Sequence, residues 1–158
     1  MVRKWQPREM RLLSEFLAEH YQGVEYRTRI RLGKIQPRLD GKYITEEERL
    51  NLGTFRRWAD ALVILPDRLI LIEAKIRPQP GVISQLQLYK RLLPNTPELQ
   101  RFRDRPLEML LVYAIRDDLL ISMAREEGIR CIQYRPAWVD EYLKELYPRE
   151  RRATRSGL

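Results

Sequence analysis

The spacing of apolar and polar positions along the chain predicts an α/β fold. Apolar side chains recur at helical spacing in four segments: 8–21, 84–93, 117–127 and 136–147. Strand-like patterns occupy five segments: 24–32, 59–65, 69–76, 107–114 and 129–134. Pro66-Asp67 separates the second and third strand patterns and predicts a hairpin. The predicted order αβββαβαβα describes a central mixed β-sheet flanked by helices.

The first predicted strand carries arginines on one face. Polar and apolar positions alternate over 24–32, so Arg27, Arg29 and Arg31 are expected to share a face. This face suits phosphate groups, and it equally suits a solvated edge strand that uses charge against aggregation. The pattern alone does not choose between the two interpretations.

The domain boundaries follow from where apolar patterning stops. Residues 1–147 are predicted to form a single domain, and 148–158 a basic, disordered tail with almost no apolar content. Within the domain, residues 33–58 are the least regular. Thr45 and Glu48 there match a capping box and predict a short helix.

Composition excludes several classes of protein. A single cysteine excludes a disulfide framework, a disulfide-linked partner and a cysteine-held iron–sulfur cluster, and a single histidine excludes the common multi-histidine metal sites. No apolar run approaches the roughly 20 residues of a membrane span, and no signal-peptide core is present. We therefore expect a cytoplasmic protein without a membrane partner. The net charge of +8 favours a polyanionic partner, nucleic acid first.

Two charged residues interrupt the apolar pattern of the third strand. Glu73 and Lys75 share a face with two leucines in segment 69–76. Charges on such a face are costly unless they pair, bind a metal or line a cleft. A hairpin loop of two or four residues places Asp60 opposite Glu73, whereas an odd-length loop turns Asp60 to the other face.

A pair of acids at this position needs compensation. Carboxylates on facing strand positions have Cβ atoms about 5 Å apart and repel each other. A hard divalent cation such as Mg²⁺, which prefers oxygen ligands, removes the repulsion. In the competing interpretation, Lys75 neutralises one acid while the other reaches solvent.

Other side chains are candidates for the same site, each with a structural alternative. Gln85 and Tyr89 lie one helical turn apart and suit a phosphate or a positioned water, or are merely a helix flank. Glu9 lies near the apolar stripe of the first helix and is either a further acid at the site or a charged helix start favoured by the helix dipole. Arg56 and Arg57 precede the second strand as phosphate clamps or as solvated charges.

Taken together, these residues resemble a known family. Asp60 followed by Glu73-Ala74-Lys75, after a helix and a strand, resembles the motif of the PD-(D/E)xK nuclease superfamily. Gln85 with Tyr89 resembles the QxxxY motif of its RecB-like branch. The resemblance spans about residues 5–135. It departs from the family in having Ala59 where proline is common, and in lacking the cysteines that hold an iron–sulfur cluster in some RecB-like members.

The resemblance implies a restriction-endonuclease-like core and a Mg²⁺-dependent deoxyribonuclease, with Mn²⁺ able to substitute and endonuclease favoured over exonuclease. It implies that Asp60, Glu73 and the backbone carbonyl of Ala74 hold the metal, and that Lys75 assists the attacking water. Gln85 and Tyr89 are then accessory catalytic residues. A further metal ligand is expected on the first helix, Glu9. The expected DNA contacts are Arg29, Arg31, Arg56 and Arg57.

Two broader expectations accompany this function. The alternative function is a nuclease-fold DNA-binding or assembly protein of a phage or mobile element that does not cleave, and a basic RNA-associated protein is a third interpretation. The setting expected for either of the first two is a prokaryotic or phage-infected cell. Tyr142, Leu143 and Tyr147 on the last helix are candidates for a homodimer contact.

Overall fold

The computed structural model describes residues 7–33 and 57–146, which form helices around one five-stranded sheet. The α-helices of these ranges are α1 (Pro7–His20), α2 (Gly81–Leu92), α3 (Asp118–Glu126) and α4 (Ala137–Leu146). The strands are β1 (Glu25–Leu32), β2 (Arg57–Ile64), β3 (Leu69–Lys75), β4 (Leu107–Tyr113) and β5 (Ile129–Gln133). The predicted α/β fold is confirmed, and its element order is consistent with a restriction-endonuclease-like core.

The sheet is mixed and its strands follow chain order, β1-β2-β3-β4-β5. β1, β2 and β3 pair antiparallel, whereas β3, β4 and β5 pair parallel. The two parallel connections run through α2 and α3. Because helices cover both faces of the central strands, β3 and β4 are buried on both sides, which is why their sequences are nearly continuous apolar runs.

The β2–β3 hairpin has the first of the two registers considered from the sequence, that of an even-length loop. Ile64 pairs with Leu69, and the ladder continues to Ala61 opposite Ile72. The backbone N–H of Leu65 donates to the carbonyl of Arg68 at 2.9 Å, which closes a two-residue turn at Pro66-Asp67. The even loop length gives the register in which Asp60 and Glu73 occupy the next row beyond the last paired residues, Ala61 and Ile72.

Two hydrophobic clusters lie on opposite faces of the sheet. The α1-side cluster joins α1 to alternate residues of the central strands: Leu13, Phe16, Leu17, Ala61, Val63, Ile70, Ile72, Ala74, Leu110 and Val112. The α2-side cluster joins α2 and α3 to the other set, including Ala59, Leu62, Leu69, Leu71, Leu86, Tyr89, Leu111, Tyr113 and Leu120. The sheet is thus the middle layer between α1 on one side and α2 with α3 on the other.

Local signals in the sequence determine where α3 begins and ends. The Asp117 carboxylate accepts a hydrogen bond from the backbone N–H of Leu120 at 3.1 Å and caps the first turn. Gly128 follows the last turn with φ of +75°, a left-handed conformation that glycine adopts without strain. Two 3₁₀ helices after α2, Leu93–Asn95 and Pro97–Phe102, were not predicted from the sequence.

α4 packs against the chain's own core. Val139 joins a third cluster with Leu12, and Leu143 packs against it. The guanidinium carbon of Arg8 lies 3.9 Å from the centroid of the Tyr142 ring. Two of the three candidate dimer residues are thus occupied by internal contacts.

Some sequence predictions fall outside the described ranges. These are the capped helix at Thr45 and Glu48, the position of Tyr147, and the tail at 148–158. Within residues 7–33 and 57–146, none of the helices combines the length and apolar character needed to cross a bilayer.

Candidate active site

At one row of the sheet, the side chains of β1 and β2 stop alternating regularly between the two faces of the sheet. Ile30 pairs with Ala59, so the next row places Arg29 across from Asp60, and we call these two residues the switch row. Ala61 belongs to the α1-side cluster and Ala59 to the α2-side cluster, although a regular strand would put both on one face. Arg29 has φ of +52°, in the left-handed region that non-glycine residues rarely adopt. The alternation of both strands therefore breaks at the switch row.

The same row marks the point where β2 separates from β3. The β2–β3 ladder ends with Ala61 opposite Ile72, whereas the β1–β2 ladder continues to Leu32 opposite Arg57. Beyond the last pair of this ladder, the Asp60 side chain takes the place of a main-chain hydrogen bond between β2 and β3. Its Oδ2 accepts a hydrogen bond at 3.0 Å from the backbone N–H of Ala74, the residue after Glu73. Asp60 is thus fixed to the strand that carries the second acid.

Glu73 is a fully buried carboxylate surrounded by polar groups. It has 0% relative exposure. The Gln85 Nε2 lies 3.5 Å from its Oε1, a long contact, and donates to the Tyr89 hydroxyl at 2.6 Å. Tyr89 is itself buried in the α2-side cluster. Side chains from one face of α2 therefore hold Gln85 against the carboxylate.

The Lys75 ammonium lies between two acids. Its Nζ is 3.9 Å from Oε2 of Glu73 and 3.7 Å from Oε2 of Glu9. Lys75 and Glu9 are largely buried, with side-chain exposures of 16% and 17%. Ion pairs withdrawn from water in this way offset part of the desolvation cost of each charge. The polar groups of α1, β2, β3 and α2 thus meet where β2 leaves β3.

The structure brings most of the sequence-predicted residues together. Asp60, Glu73, Lys75, Gln85, Tyr89 and Glu9 are joined by the contacts given above. Arg29 of β1 lies across from Asp60 of β2, and Arg31 follows two residues later in β1. Arg56 and the side chain of Arg57 lie outside the described part of the chain, although the backbone of Arg57 begins β2.

The expectation that the arginines of β1 share one face is wrong. The guanidinium carbon of Arg27 lies 5.6 Å from the Phe102 ring, whereas those of Arg29 and Arg31 lie 5.9 and 4.6 Å from the Trp58 ring. The left-handed backbone of Arg29 explains the division, because simple alternation holds only while every residue keeps extended torsions.

Trp58 is a residue that sequence reasoning missed. It lies in β2, two positions before Asp60, and its side chain is 44% exposed. The available signal was a large aromatic residue immediately after two arginines, at the entrance to an otherwise buried strand.

The donor set of the site suits a hard cation. Asp60 and Glu73 supply carboxylate oxygens, and Ala74 between Glu73 and Lys75 adds a backbone carbonyl. Across residues 7–33 and 57–146, no group of three or more His, Cys, Asp or Glu side chains is arranged to hold a metal ion. Mg²⁺ is commonly bound through one or two carboxylates and keeps several waters or substrate phosphates. Two acids and a carbonyl therefore fit Mg²⁺ in number and kind.

Comparisons with known proteins give distant structural likenesses. No protein-family model matches the chain, and no protein with a curated description matches it. A crystal structure of a protein of unknown function, AF1548, is similar with a TM-score of 0.49 and 9% identity, covering 78% of this chain and 58% of that one. A repair endonuclease from Pyrococcus abyssi is similar with a TM-score of 0.45 and 14% identity, covering 86% of this chain and 50% of that one.

A third structure, the protein VC1899 from Vibrio cholerae, has a TM-score of 0.44 and 16% identity, with 88% of this chain and 30% of that one covered. The chain thus spans 58% or less of the length of each of these three structures. Likeness of this degree does not decide a function, which depends on the residues of the site.

Proposed function

We propose that this chain is a Mg²⁺-dependent deoxyribonuclease that hydrolyses phosphodiester bonds in DNA. The observation that carries the proposal is that, where β2 separates from β3, the Asp60 carboxylate is hydrogen-bonded to the backbone of Ala74, between Glu73 and Lys75, whose charged groups lie 3.9 Å apart. Hydrolysis of a phosphodiester needs positive charge beside the phosphate and a group that handles the attacking water. Two acids that can hold a cation, with an ammonium beside them, meet both needs.

The proposed roles follow from the contacts. Asp60, Glu73 and the Ala74 carbonyl hold Mg²⁺, which when bound supplies charge neutralisation at the scissile phosphate and lowers the pKa of a coordinated water. Lys75 orients the attacking water and stabilises negative charge that develops on the phosphate. Its 3.9 Å separation from the Glu73 carboxylate keeps the ammonium beside the acids.

Gln85, Tyr89 and Glu9 act through their neighbours in this scheme. The 2.6 Å hydrogen bond between Gln85 and the buried Tyr89 limits the rotamers of Gln85, which in turn restrains Glu73. Glu9 contacts the Lys75 ammonium at 3.7 Å. We therefore assign Glu9 the positioning of Lys75 in place of the metal-ligand role expected from the sequence.

The basic side chains near the site are the proposed DNA contacts. Arg29 and Arg31 lie on the edge strand next to β2, and the chain carries a net charge of +8. Arginine suits this role because its planar guanidinium donates to phosphate through two parallel hydrogen bonds. Internal cutting is the proposed mode, in keeping with the family resemblance carried by Asp60, Glu73 and Lys75.

The experiment is a cleavage assay on a panel of labelled DNAs: linear, circular, branched and single-stranded, in Mg²⁺, Mn²⁺ or EDTA. We expect cleavage that EDTA abolishes, including cleavage of the circular substrate, which only an endonuclease attacks. Asp60→Asn should abolish cleavage and lower the Mg²⁺ affinity measured by calorimetry. Asp67→Asn is the matched control, because Asp67 is exposed in the turn at the other end of the same hairpin.

A second candidate function is DNA binding without cleavage, as in an assembly protein of a phage or mobile element. The finding that favours it is that, in residues 7–33 and 57–146, no group of three or more His, Cys, Asp or Glu side chains is arranged to hold a metal ion. DNA binding with no turnover in either metal, on every substrate of the panel, would establish this candidate and overturn the nuclease.

A further inference from the structure

Trp58 differs from the other exposed apolar residues by the groups around it. Single exposed hydrophobic side chains are common on protein surfaces, so the 44% exposure of Trp58 decides nothing alone. Its ring, however, has two guanidinium groups nearby, those of Arg31 at 4.6 Å and Arg29 at 5.9 Å from the centroid. An accessible indole beside two cations is a combination that suits a ligand with both a flat ring and negative charge.

A second aromatic residue of the same chain provides an internal comparison. Three guanidinium groups surround the Phe102 ring, those of Arg27, Arg101 and Arg105, at 4.6 to 5.6 Å. Phe102 is only 5% exposed and belongs to the α2-side cluster, so its arginines cover the edge of the core. Trp58 keeps an accessible ring although arginines flank it as well, and core coverage does not explain that arrangement.

The backbone of Arg29 adds an independent observation. Its φ of +52° is an unfavourable conformation for arginine, of a kind that persists where surrounding structure or function requires it. The break in alternation there coincides with the division of the arginines, Arg27 beside Phe102 and both Arg29 and Arg31 beside Trp58. A strained residue thus lies across from Asp60 and contributes one of the two cations at the ring.

We propose that Trp58, Arg29 and Arg31 form a stacking site for an unpaired nucleobase of a DNA strand, with the arginines contacting the adjoining phosphates. This inference rests on the proposed nuclease function and specifies its substrate. A base stacks on an aromatic ring whatever its sequence, and cations beside the ring follow the backbone. A base inside a duplex has both faces covered by its neighbours, so the site selects single strands, flaps or frayed ends.

The position of the site connects it to the chemistry. Trp58 precedes Asp60 by two residues of β2, about 7 Å along a strand. A nucleotide stacked there lies within one or two nucleotides of a phosphate held at the carboxylates. We therefore expect the bond that is cut to lie next to an unpaired nucleotide.

The test measures binding without cleavage, in EDTA, by the anisotropy of a labelled single-stranded oligonucleotide and of its duplex. Trp58→Ala should weaken binding of the single strand roughly tenfold and of the duplex less than twofold. Trp58→Phe should retain most of the affinity because it retains a ring. Leu119→Ala is the control, because Leu119 is an exposed apolar residue on α3, at 72% exposure, and it should change neither.

The arginines have their own readout. Arg31→Ala should reduce the salt dependence of single-strand binding by about one unit of log–log slope. Arg130→Ala is the matched control, since Arg130 is also exposed on an edge strand, β5, at the opposite side of the sheet, and should leave the slope unchanged.

The outcomes separate this inference from the proposed function. Equal losses on single strand and duplex in Trp58→Ala, or no loss on either, would overturn the stacking site even if the protein cleaves DNA. A selective loss on the single strand would support the stacking site even if the protein cleaves no DNA in Mg²⁺ or Mn²⁺.

Discussion

The parallel and antiparallel halves of the sheet differ in how regularly their side chains alternate between its two faces. In β4, Met109, Leu111 and Tyr113 lie in the α2-side cluster, and Leu110 and Val112 lie in the α1-side cluster, so the alternation is unbroken. Its ladder with β3 continues through all seven residues of both strands. In β1 and β2 the alternation breaks at the switch row, and the ladder from β2 to β3 ends there.

This difference shows how one sheet combines stability with a polar site. The parallel half buries regular apolar rows on both faces, which is the favourable way to remove apolar surface from water. The antiparallel half departs from regularity at the row of Asp60, whose carboxylate accepts a hydrogen bond from the backbone N–H of Ala74. We therefore expect substitutions in the parallel half to change stability, and substitutions near the switch row to change activity.

The largest expected effect is on activity at the boundary between the halves. Glu73→Leu should lower the cleavage rate on the order of 100- to 1,000-fold. The free energy of unfolding should stay the same or rise, because a well-packed apolar residue often replaces a buried charge without loss, and Lys75 keeps its Glu9 partner. Cleavage kinetics and urea unfolding check both parts. Glu108→Gln, an exposed acid on β4, is the control and should change neither.

A loss of stability above about 2 kcal/mol in Glu73→Leu would contradict the comparison. It would mean that the buried carboxylate contributes to the stability of the sheet as well as to its chemistry.

The next effect is on stability in the parallel half. Leu111 pairs with Glu73 across the β3–β4 ladder and is fully buried. Leu111→Ala should lower the free energy of unfolding by about 2 to 5 kcal/mol, because it leaves a cavity. Cleavage per folded molecule should be unchanged. The matched substitution Leu119→Ala, at an exposed position, should stay within about 0.5 kcal/mol, and a specific loss of cleavage in Leu111→Ala would contradict the division of roles.

At the switch row we expect a smaller change in stability, and in the opposite direction: a gain instead of a loss. Arg29→Gly removes the steric cost of a left-handed side-chain-bearing residue, about 1 to 2 kcal/mol, and adds the entropy cost of glycine, about 0.5 to 1 kcal/mol. Stability should therefore be unchanged or higher by up to about 1 kcal/mol. The neighbouring control Thr28→Gly should lose stability, since Thr28 lies in regular pairing with Ala61. Equal losses in both variants, measured by urea unfolding, would refute strain at Arg29.

The smallest effect depends on pH and lies away from the site. The Tyr134 hydroxyl donates to Glu19 at 2.8 Å, and burial together with this hydrogen bond raises the pKa of Tyr134 from 10 to about 12. Folding thus holds the phenol proton more tightly, so the stabilisation is complete below pH 10 and is lost as the pH rises towards 12.

Tyr134→Phe should therefore cost about 1 kcal/mol or less at pH 7, and the difference from the natural protein should shrink at pH 11. Urea unfolding at both pH values measures this. A difference that is the same at pH 7 and pH 11 would be inconsistent with the raised pKa.

Local sequence signals were sufficient to predict most of the fold. The Pro66-Asp67 turn determined the hairpin register, and with it the row in which Asp60 meets the backbone of β3. Long apolar runs identified the buried strands. Both signals depend on a few neighbouring residues and not on contacts with distant parts of the chain.

The switch row and the role of Trp58 could not be predicted for a physical reason. The prediction of alternating faces assumes that each residue keeps extended torsions. The positive φ of Arg29 was not indicated by the sequence, because no glycine or asparagine, the residues that favour such torsions, stands at that position. The exposure of Trp58 likewise depends on which face of β2 is turned outward after the break. The ion pair between Glu9 and Lys75 depends on how α1 crosses the sheet, a tertiary property.

The end of the β2–β3 ladder has a mechanical consequence. Asp60 belongs to an outer ribbon of two strands and Glu73 to an inner sheet of three, and the last main-chain pair joining them beside the site is Ala61 with Ile72. The spacing of the two acids is therefore set by a junction rather than by a single rigid strand pair. Ala61 is fully buried in the α1-side cluster, so a larger side chain there would strain this junction and, under the proposed function, disturb the spacing of the two acids while leaving both carboxylates in place.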